Sequence, residues 1–182
     1  TAPDVEPEDD APATAPDEEK PAAEAKAAAA PTGEGRTLCS PVTGTVHPIT
    51  EAPDEAFASK MMGDGFFIYP SKGEVLAPAD GEVVFVFDTK HAIGMKSADG
   101  TEYLLHIGVD TVALGGQGFE VFVESGQQVK KGDKLMEFDI DYIREHAKSD
   151  ACLVIFTGLP EGTSIEMTAT GEVAALDPVA KF

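Results

Sequence analysis

The stretch 87–111, FDTKHAIGMKSADGTEYLLHIGVDT, decides the fold that we expect for this chain. Its centre, Asp99-Gly100, is favoured in two-residue type I′ turns because both central residues of such a turn adopt a positive φ. The runs on either side then pair as a β-hairpin. In this register His91 and His106 are diagonal neighbours on one face, roughly 7–8 Å apart at Cα. Two imidazole rings so placed can reach one small ligand, either a phosphoryl group or a metal ion.

The residues around the two histidines follow from the alternation of side chains between the faces of a strand. The predicted register is defined by three pairs of opposed residues: Met95 and Leu104, Ile93 and His106, His91 and Gly108. The histidine face then carries an apolar rim, a hydroxyl and a carboxylate: Phe87, Thr89, Ile93, Leu104 and Asp110. Spacing alone leaves two readings open, a pair of structural histidines and a functional site.

From residue 37 onward the sequence is typical of an all-β domain, with short apolar or alternating runs between turn clusters. One amphipathic helix is predicted at 141–148, and short helical turns at 54–58. We therefore predict a barrel-like antiparallel β-sandwich with one short helix. Seven phenylalanines are expected to fill the interior of the sandwich: Phe66, Phe67, Phe85, Phe119, Phe122, Phe138 and Phe156. The predicted strands are 44–48, 65–69, 74–77, 81–88, 92–97, 102–107, 119–123, 134–138, 153–156 and 171–174.

Residues 1–36 differ in composition from the rest of the chain, because Ala, Pro, Asp and Glu dominate and large apolar side chains are almost absent. Such a segment cannot bury enough surface to offset its ordering entropy. We expect a disordered linker cut from a larger polypeptide, and its first residues do not resemble a signal peptide. A solvated tail without a special role is the alternative.

Charge and cysteine content narrow the function classes. The net charge of −20 argues against nucleic acid and anionic membrane surfaces as partners, and a basic partner fits better. Only two cysteines, Cys39 and Cys152, are present, which favours a reduced, cytoplasmic protein. No apolar stretch approaches the ~20 residues that a membrane-spanning helix needs.

Seven short segments, read in order, resemble one known family. They are SPVTG at 40–44, APDEAFA at 52–58, MGDG at 62–65, APADG at 77–81, TKHA at 89–92, LHIGVDT at 105–111 and VKKGD at 129–133. Residues 37–182 are thereby similar to the glucose-type IIA domain of the bacterial phosphoenolpyruvate-dependent sugar phosphotransferase system. The resemblance implies a phosphocarrier that takes a phosphoryl group from phosphohistidine on HPr and passes it to a cysteine on a IIB domain during sugar uptake.

Residue roles are implied by this resemblance. His106 would be the phosphoacceptor, His91 would stabilise the phosphoryl oxygens, and Thr89 would orient the ring of His91. Five residues would contact the partner proteins: Asp54, Phe57, Phe87, Leu104 and Asp110. The chain would be a phosphotransferase component that acts only with partner proteins and needs no cofactor. It would be cytoplasmic, either free or tethered to the membrane through a parent permease with IIB or IIC domains.

The chemistry of imidazole agrees with that role. A neutral imidazole is nucleophilic near pH 7 and can carry a phosphoryl group reversibly. The transfer mainly requires in-line positioning and donors to the phosphoryl oxygens. Leu104 and Ile107 flank His106 where many members of the family have aromatic residues, and Lys90 stands where Asn is frequent. These departures concern the choice of partner more than the chemistry.

Two other function classes remain open from the sequence. The segment 124–133 resembles a turn of biotinyl- and lipoyl-carrier domains, but Lys96 lies three residues before Asp99-Gly100 rather than at the tip of the turn. A β-sandwich zinc hydrolase would need about three protein ligands, and only His91, His106 and Asp110 are candidates. The histidine pair could still bind zinc weakly with a partner's carboxylate.

Overall fold

The computed structural model describes residues 36–159 and 163–182. Within them the chain forms fourteen strands, two short α-helices and two 3-10 turns at Ile49–Glu51 and Thr111–Leu114. The helices are α1 (Glu55–Ala58) and α2 (Ile140–His146). The strands are β1 (Thr37–Cys39), β2 (Gly44–Pro48), β3 (Asp64–Pro70), β4 (Glu74–Leu76), β5 (Gly81–Val86), β6 (Ala92–Ser97), β7 (Glu102–Val109), β8 (Phe119–Val121), β9 (Gln128–Val129), β10 (Lys134–Phe138), β11 (Ser149–Phe156), β12 (Glu166–Met167), β13 (Gly171–Val173) and β14 (Pro178–Lys181).

The strands form one large and two small antiparallel sheets. The large sheet has the order β13-β2-β3-β11-β7-β6-β5-β9, and the small ones have the orders β1-β14-β12 and β4-β10-β8. Apolar side chains from all three sheets meet in one core. The predicted all-β antiparallel sandwich is therefore confirmed, and no sheet in the described part of the chain closes into a barrel. The four and seven residues of α1 and α2 are too few to cross a bilayer.

The central strands of the large sheet are buried on both faces, because successive residues in them are apolar and point to opposite sides. In β3, Phe66 and Ile68 join the main core, whereas Phe67 between them packs on the opposite face. A second, smaller apolar cluster lies on that opposite face, around Phe67, Leu153 and Ile155. One row of opposed residues crosses the sheet on this side: Phe67, Leu153, His106 and Ala92. The second cluster therefore supports the histidine.

The hairpin of β6 and β7 forms as predicted, but its register is shifted by one residue. His106 is opposite Ala92, and Leu105 is opposite Ile93. Ile93 is consequently in the main core rather than on the histidine face. The predicted two-residue turn is wrong, because Ser97 N donates to Thr101 O across a three-residue loop. A positive φ is needed only once in this loop, at Gly100, where it is 91°.

The elements missed by the sequence are the short ones. Strands β1, β9, β12 and β14 have two to four residues, too few to show an alternating pattern. The predicted helix at 141–148 is present as Ile140–His146, where Asp139 caps the N-terminus by accepting from Tyr142 N. The helical turns expected at 54–58 are present as Glu55–Ala58.

The predicted disordered linker over residues 1–36 lies outside the described residues, with the exception of Arg36. Arg36 exchanges two backbone hydrogen bonds with Phe182, at 3.1 and 2.9 Å, and its guanidinium donates to Thr101 Oγ1. Arg36 is thus hydrogen-bonded to the folded domain.

Candidate functional site

The orientation of His106 is set by one backbone carbonyl. Its Nδ1 lies 2.8 Å from Gly108 O, two residues further along the chain. A carbonyl oxygen can only accept, so Nδ1 carries the proton of the neutral ring and Nε2 keeps a free lone pair. The position of the Gly108 carbonyl therefore determines which nitrogen of His106 can act as a nucleophile.

Gly108 can place its carbonyl there because the backbone turns sharply at this residue, with a φ of 75°. A Cβ at this position would lie 2.4 Å from Thr111 Cγ2 and 3.0 Å from Ser149 O. Both the positive φ and the close approach require glycine. The pairing of β7 with β11 is irregular at the same place.

His91 lies immediately before β6, after a left-handed residue at Lys90 with a φ of 58°. Its ring contacts that of His106, with ring centroids 4.9 Å apart and an interplanar angle of 76°. Thr89 Oγ1 is 2.5 Å from His91 Nδ1, so the two groups share a hydrogen bond. When the hydroxyl donates, His91 Nε2 carries the proton and is a hydrogen-bond donor next to His106.

Both histidines are held in the neutral form at pH 7. Burial and, after it, the neighbouring His91 lower the pKa of His106 to about 4, against the opposing effects of the Gly108 hydrogen bond and of Asp54. Burial also lowers the pKa of His91, which is 6% exposed. A neutral His106 has the free lone pair that a nucleophile needs.

Two aromatic side chains, Phe87 and Phe85, lie on one side of the histidine pair. The Phe87 ring is 5.2 Å from that of His91, and the Phe85 ring is 5.4 Å from that of Phe87. Phe85 was expected in the interior, yet it is 42% exposed and its ring lies over Gly94, where a Cβ would come within 2.3 Å. The shifted register explains this, because it puts Gly94 opposite Leu104 on the histidine face.

Phe57, which the resemblance implies belongs to the docking surface, lies directly against His106. Its ring is only 9% exposed and packs 5.3 Å from the ring of His106. It belongs to the second apolar cluster, with Leu104 at the edge of that cluster. Phe57 therefore packs against His106 from the second apolar cluster. Leu104 and Phe87 form the more accessible rim of the site.

The two candidate acidic residues have different environments. Asp54 caps α1 by accepting from Ala56 N at 2.9 Å, and Lys148 Nζ donates to its other oxygen at 3.1 Å. The Lys148 and Ala56 bonds keep the pKa of Asp54 below its usual value. Asp110 is exposed, left-handed with a φ of 61°, and makes no side-chain capping bond to the following 3-10 turn.

The structure gives little support to the alternative site chemistries. Within residues 36–159 and 163–182 no group of three or more His, Cys, Asp or Glu side chains is placed to hold a metal ion. The weak zinc site considered for His91 and His106 would need a ligand from elsewhere. Lys96 is part of β6 and pairs with Glu102 at 3.6 Å, so it is not displayed at the tip of a turn as an attachment lysine would be.

Three residues of the site were not identified from the sequence: Gly108, Thr111 and Phe85. Two glycines could have indicated two of these residues, since glycine inside a strand indicates a bulge or a close approach of another group. Gly108 marks its own position, and Gly94 marks the place where Phe85 lies over the strand. Thr111 had no such signal, because its hydroxyl acts on the backbone of Ile107, at 2.7 Å.

Two comparisons with known proteins point to the same family. Residues 36–161 match the family model described as phosphoenolpyruvate-dependent sugar phosphotransferase system, EIIA 1. Among solved structures, the chain is similar to the glucose permease IIA from Mycoplasma capricolum, with 40% sequence identity and a TM-score of 0.76. The similarity covers 82% of this chain and 96% of that one.

Proposed function

The chain belongs to the EIIA 1 family of the phosphoenolpyruvate-dependent sugar phosphotransferase system, and we propose that His106 is the residue that carries its phosphoryl group. The chain is a phosphocarrier that passes phosphate from HPr onward in sugar uptake, with HPr and a IIB domain as its general partners. The observation that supports His106 is the hydrogen bond from its Nδ1 to Gly108 O, which leaves Nε2 unprotonated.

In the first step, the Nε2 lone pair of His106 attacks the phosphorus of phosphohistidine on HPr. The new N–P bond forms as the old one breaks, and the donor ring, protonated on its other nitrogen, leaves as a neutral imidazole with the electron pair. His106 keeps its Nδ1 proton and becomes an imidazolium. The Gly108 carbonyl, 2.8 Å away, stabilises that positive charge.

His91 acts on the phosphoryl group rather than as the nucleophile. Thr89 holds its Nδ1, so His91 Nε2 can donate to a phosphoryl oxygen as charge develops during transfer. The two ring centroids are 4.9 Å apart, so His91 is in contact with the ring that would carry the phosphoryl group. Positioned donors of this kind are the main catalytic contribution that phosphoryl transfer requires.

In the second step, a cysteine thiolate of the IIB domain attacks the phosphorus. An S–P bond forms, the N–P bond breaks, and its electron pair returns to Nε2, so that His106 is neutral again. The low pKa of His106 favours this release, since burial disfavours the imidazolium. Phe87 and Leu104 cover the site when a partner docks and limit hydrolysis by water.

The finer context is also part of the proposal. We propose that the domain of residues 37–182 is a phosphotransferase component that acts only with its partners, in the cytoplasm. Residues 1–36, rich in Ala, Pro and acidic side chains, would connect it to another part of a larger polypeptide or to a parent permease.

Phosphorylation with phosphoenolpyruvate, enzyme I and HPr tests the assignment of His106. We expect one acid-labile, base-stable phosphoryl group per chain, absent in His106→Gln. The matched control is His47→Gln, because His47 is paired with Glu51 and lies in β2, three strands from β7 in the large sheet. Labelling that persists in His106→Gln would overturn the proposal.

A further inference from the structure

Thr111 is a buried polar residue next to the site, and its side chain contacts the backbone that holds both histidines. It has no exposed surface and begins the 3-10 turn Thr111–Leu114. Its hydroxyl donates to Ile107 O at 2.7 Å. This bond reaches back across the left-handed residues Gly108 and Asp110, so it closes the turn that follows His106.

Ile107 connects this hydroxyl to both histidines. It follows His106 in β7, and its N–H donates to the His91 carbonyl at 2.7 Å. The same residue therefore accepts from Thr111 and donates to His91. A shift of the Ile107 backbone would change the distance between the two imidazole rings as well as the orientation of His106.

The methyl group of Thr111 acts on Gly108. Thr111 Cγ2 occupies the side of Gly108 where a Cβ would otherwise lie, at only 2.4 Å from that position. Ser149 O and Ile143 Cγ2 back the same spot at 3.0 and 3.3 Å. These atoms fill the space beside Gly108, and the hydroxyl bond to Ile107 O ties the turn to β7, which keeps the Gly108 carbonyl directed at His106 Nδ1.

We propose that Thr111 is a positioning residue for phosphoryl transfer, which holds His106 in the tautomer with a free Nε2 lone pair. This inference rests on the proposed function of His106 but concerns the state of its ring before any partner binds. Without the hydroxyl, the turn loses its tie to β7, and the Gly108 carbonyl can move away from Nδ1. The proton then also occupies Nε2, and that fraction of the rings has no lone pair for the attack.

Two substitutions separate the hydroxyl from the shape of the side chain. Thr111→Val keeps the volume and removes the donor, whereas Thr111→Ser keeps the donor and removes the methyl. The matched control is Thr101→Val at the other end of the hairpin, because Thr101 is also buried and its hydroxyl is hydrogen-bonded to Arg36. All three variants are compared with the unsubstituted chain of the same length. Thermal unfolding first establishes the folded fraction of each.

The decisive measurement is the ¹⁵N spectrum of the His106 imidazole without partners, followed by the rate of phosphoryl uptake from HPr per folded molecule. We expect the Nδ1-H tautomer in the unsubstituted chain, Thr111→Ser and Thr101→Val. In Thr111→Val we expect a mixture of tautomers and uptake slower by about tenfold or more.

Thr111→Val with an unchanged tautomer would overturn the proposal, whatever its rate. Should Thr111→Val not fold, Thr111→Ala and Thr111→Ser decide together: loss of the Nδ1-H tautomer in Thr111→Ala with its retention in Thr111→Ser supports the proposal, and retention in both or loss in Thr111→Ser overturns it. Failure of the proposed function is distinguishable, because it would appear as phosphorylation of His106→Gln, with the His106 tautomer of the unsubstituted chain unaffected.

Discussion

The two ends of the β6–β7 hairpin differ in how completely their polar side-chain atoms are hydrogen-bonded. At the turn end, Asp99 accepts from Thr101 N at 2.9 Å and from the Ser97 hydroxyl, and it faces Arg36 at 3.8 Å. At the histidine end, hydrogen bonds hold only the Nδ1 atoms of the two rings, and no hydrogen bond from a described residue holds either Nε2. A closed polar network stabilises one end of the hairpin. The other end keeps its reactive atoms available because a nucleophile and a donor need free positions.

The largest expected difference between the ends concerns their glycines. Gly108→Ala should destabilise the domain by about 3 kcal/mol or more, since a left-handed φ and an overpacked contact both add to the cost. Gly100 has a φ of 91°, but a Cβ added there would meet no atom within 4 Å. Gly100→Ala should therefore lower the free energy of unfolding by only roughly 1–2 kcal/mol. Urea unfolding of both variants measures the difference. Equal losses would show that the close contacts at Gly108 are unimportant.

The second expected effect is on His91. His91→Gln should still accept phosphate from HPr, because His106 is the nucleophile. It should pass the group to IIB about a hundredfold more slowly, which corresponds to roughly 2.7 kcal/mol of transition-state stabilisation. Single-turnover transfer rates measure both steps separately. Unchanged sugar phosphorylation in this variant would remove His91 from the mechanism.

The third prediction is that the two ends of the hairpin lose stability in different pH ranges. The pKa of His106 is about 4 in the folded chain, below its ordinary value. Its contribution to stability is complete above about pH 6.5 and is lost as the pH falls from there towards 4. We expect a loss of roughly 1–3 kcal/mol over this window. The pKa of Asp99 is also lowered, so the turn end loses stability only at more acidic pH.

Urea unfolding at pH 7.0 and 4.5 measures this loss. His106→Gln should reduce the pH dependence in that window. A pH dependence that is identical in His106→Gln would mean that the buried ring does not contribute to it.

The fourth prediction concerns the apolar rim that only the histidine end has. Phe87→Ala should weaken the complex with HPr by about 1–2 kcal/mol at all salt concentrations, since apolar contacts supply affinity. Phe122→Ala is the matched control, because Phe122 is 45% exposed, like Phe87 at 44%, but contacts Lys134 instead of a histidine. Titration calorimetry of both variants tests this. Equal weakening would argue against a specific rim.

The smallest expected effect is electrostatic. Asp110→Asn should slow phosphoryl uptake from HPr by about two- to fivefold at low ionic strength, and the deficit should shrink as salt is added. Asparagine is the suitable replacement because it tolerates the left-handed φ of 61° at this position. Glu120→Gln, exposed in β8, is the charge-matched control. A deficit that does not depend on salt would contradict the steering role of Asp110.

The sequence predicted most long strands well, because alternation is a local property of neighbouring residues. The bounds of β2, β6 and β10 agree with the predictions. The hairpin was placed correctly, but its register was wrong by one residue. The Asp99-Gly100 dipeptide suits two turn lengths, and the choice between them depends on which side chains the core accepts. Burial of Ile93 together with Leu105 selects the longer loop.

The sequence by itself determined which residue types meet: two histidines on the two arms of one hairpin, with a threonine two residues before one of them and aromatic side chains nearby. The tertiary structure alone decided that Phe57 lies beneath His106 and that Phe85 lies over Gly94. It also decided that Nε2 of His106 is the free nitrogen. That outcome depends on the Gly108 carbonyl, and atoms of Thr111, Ile143 and Ser149 lie beside Gly108. Such contacts join residues from separate elements, and no local pattern of apolar and polar residues encodes them.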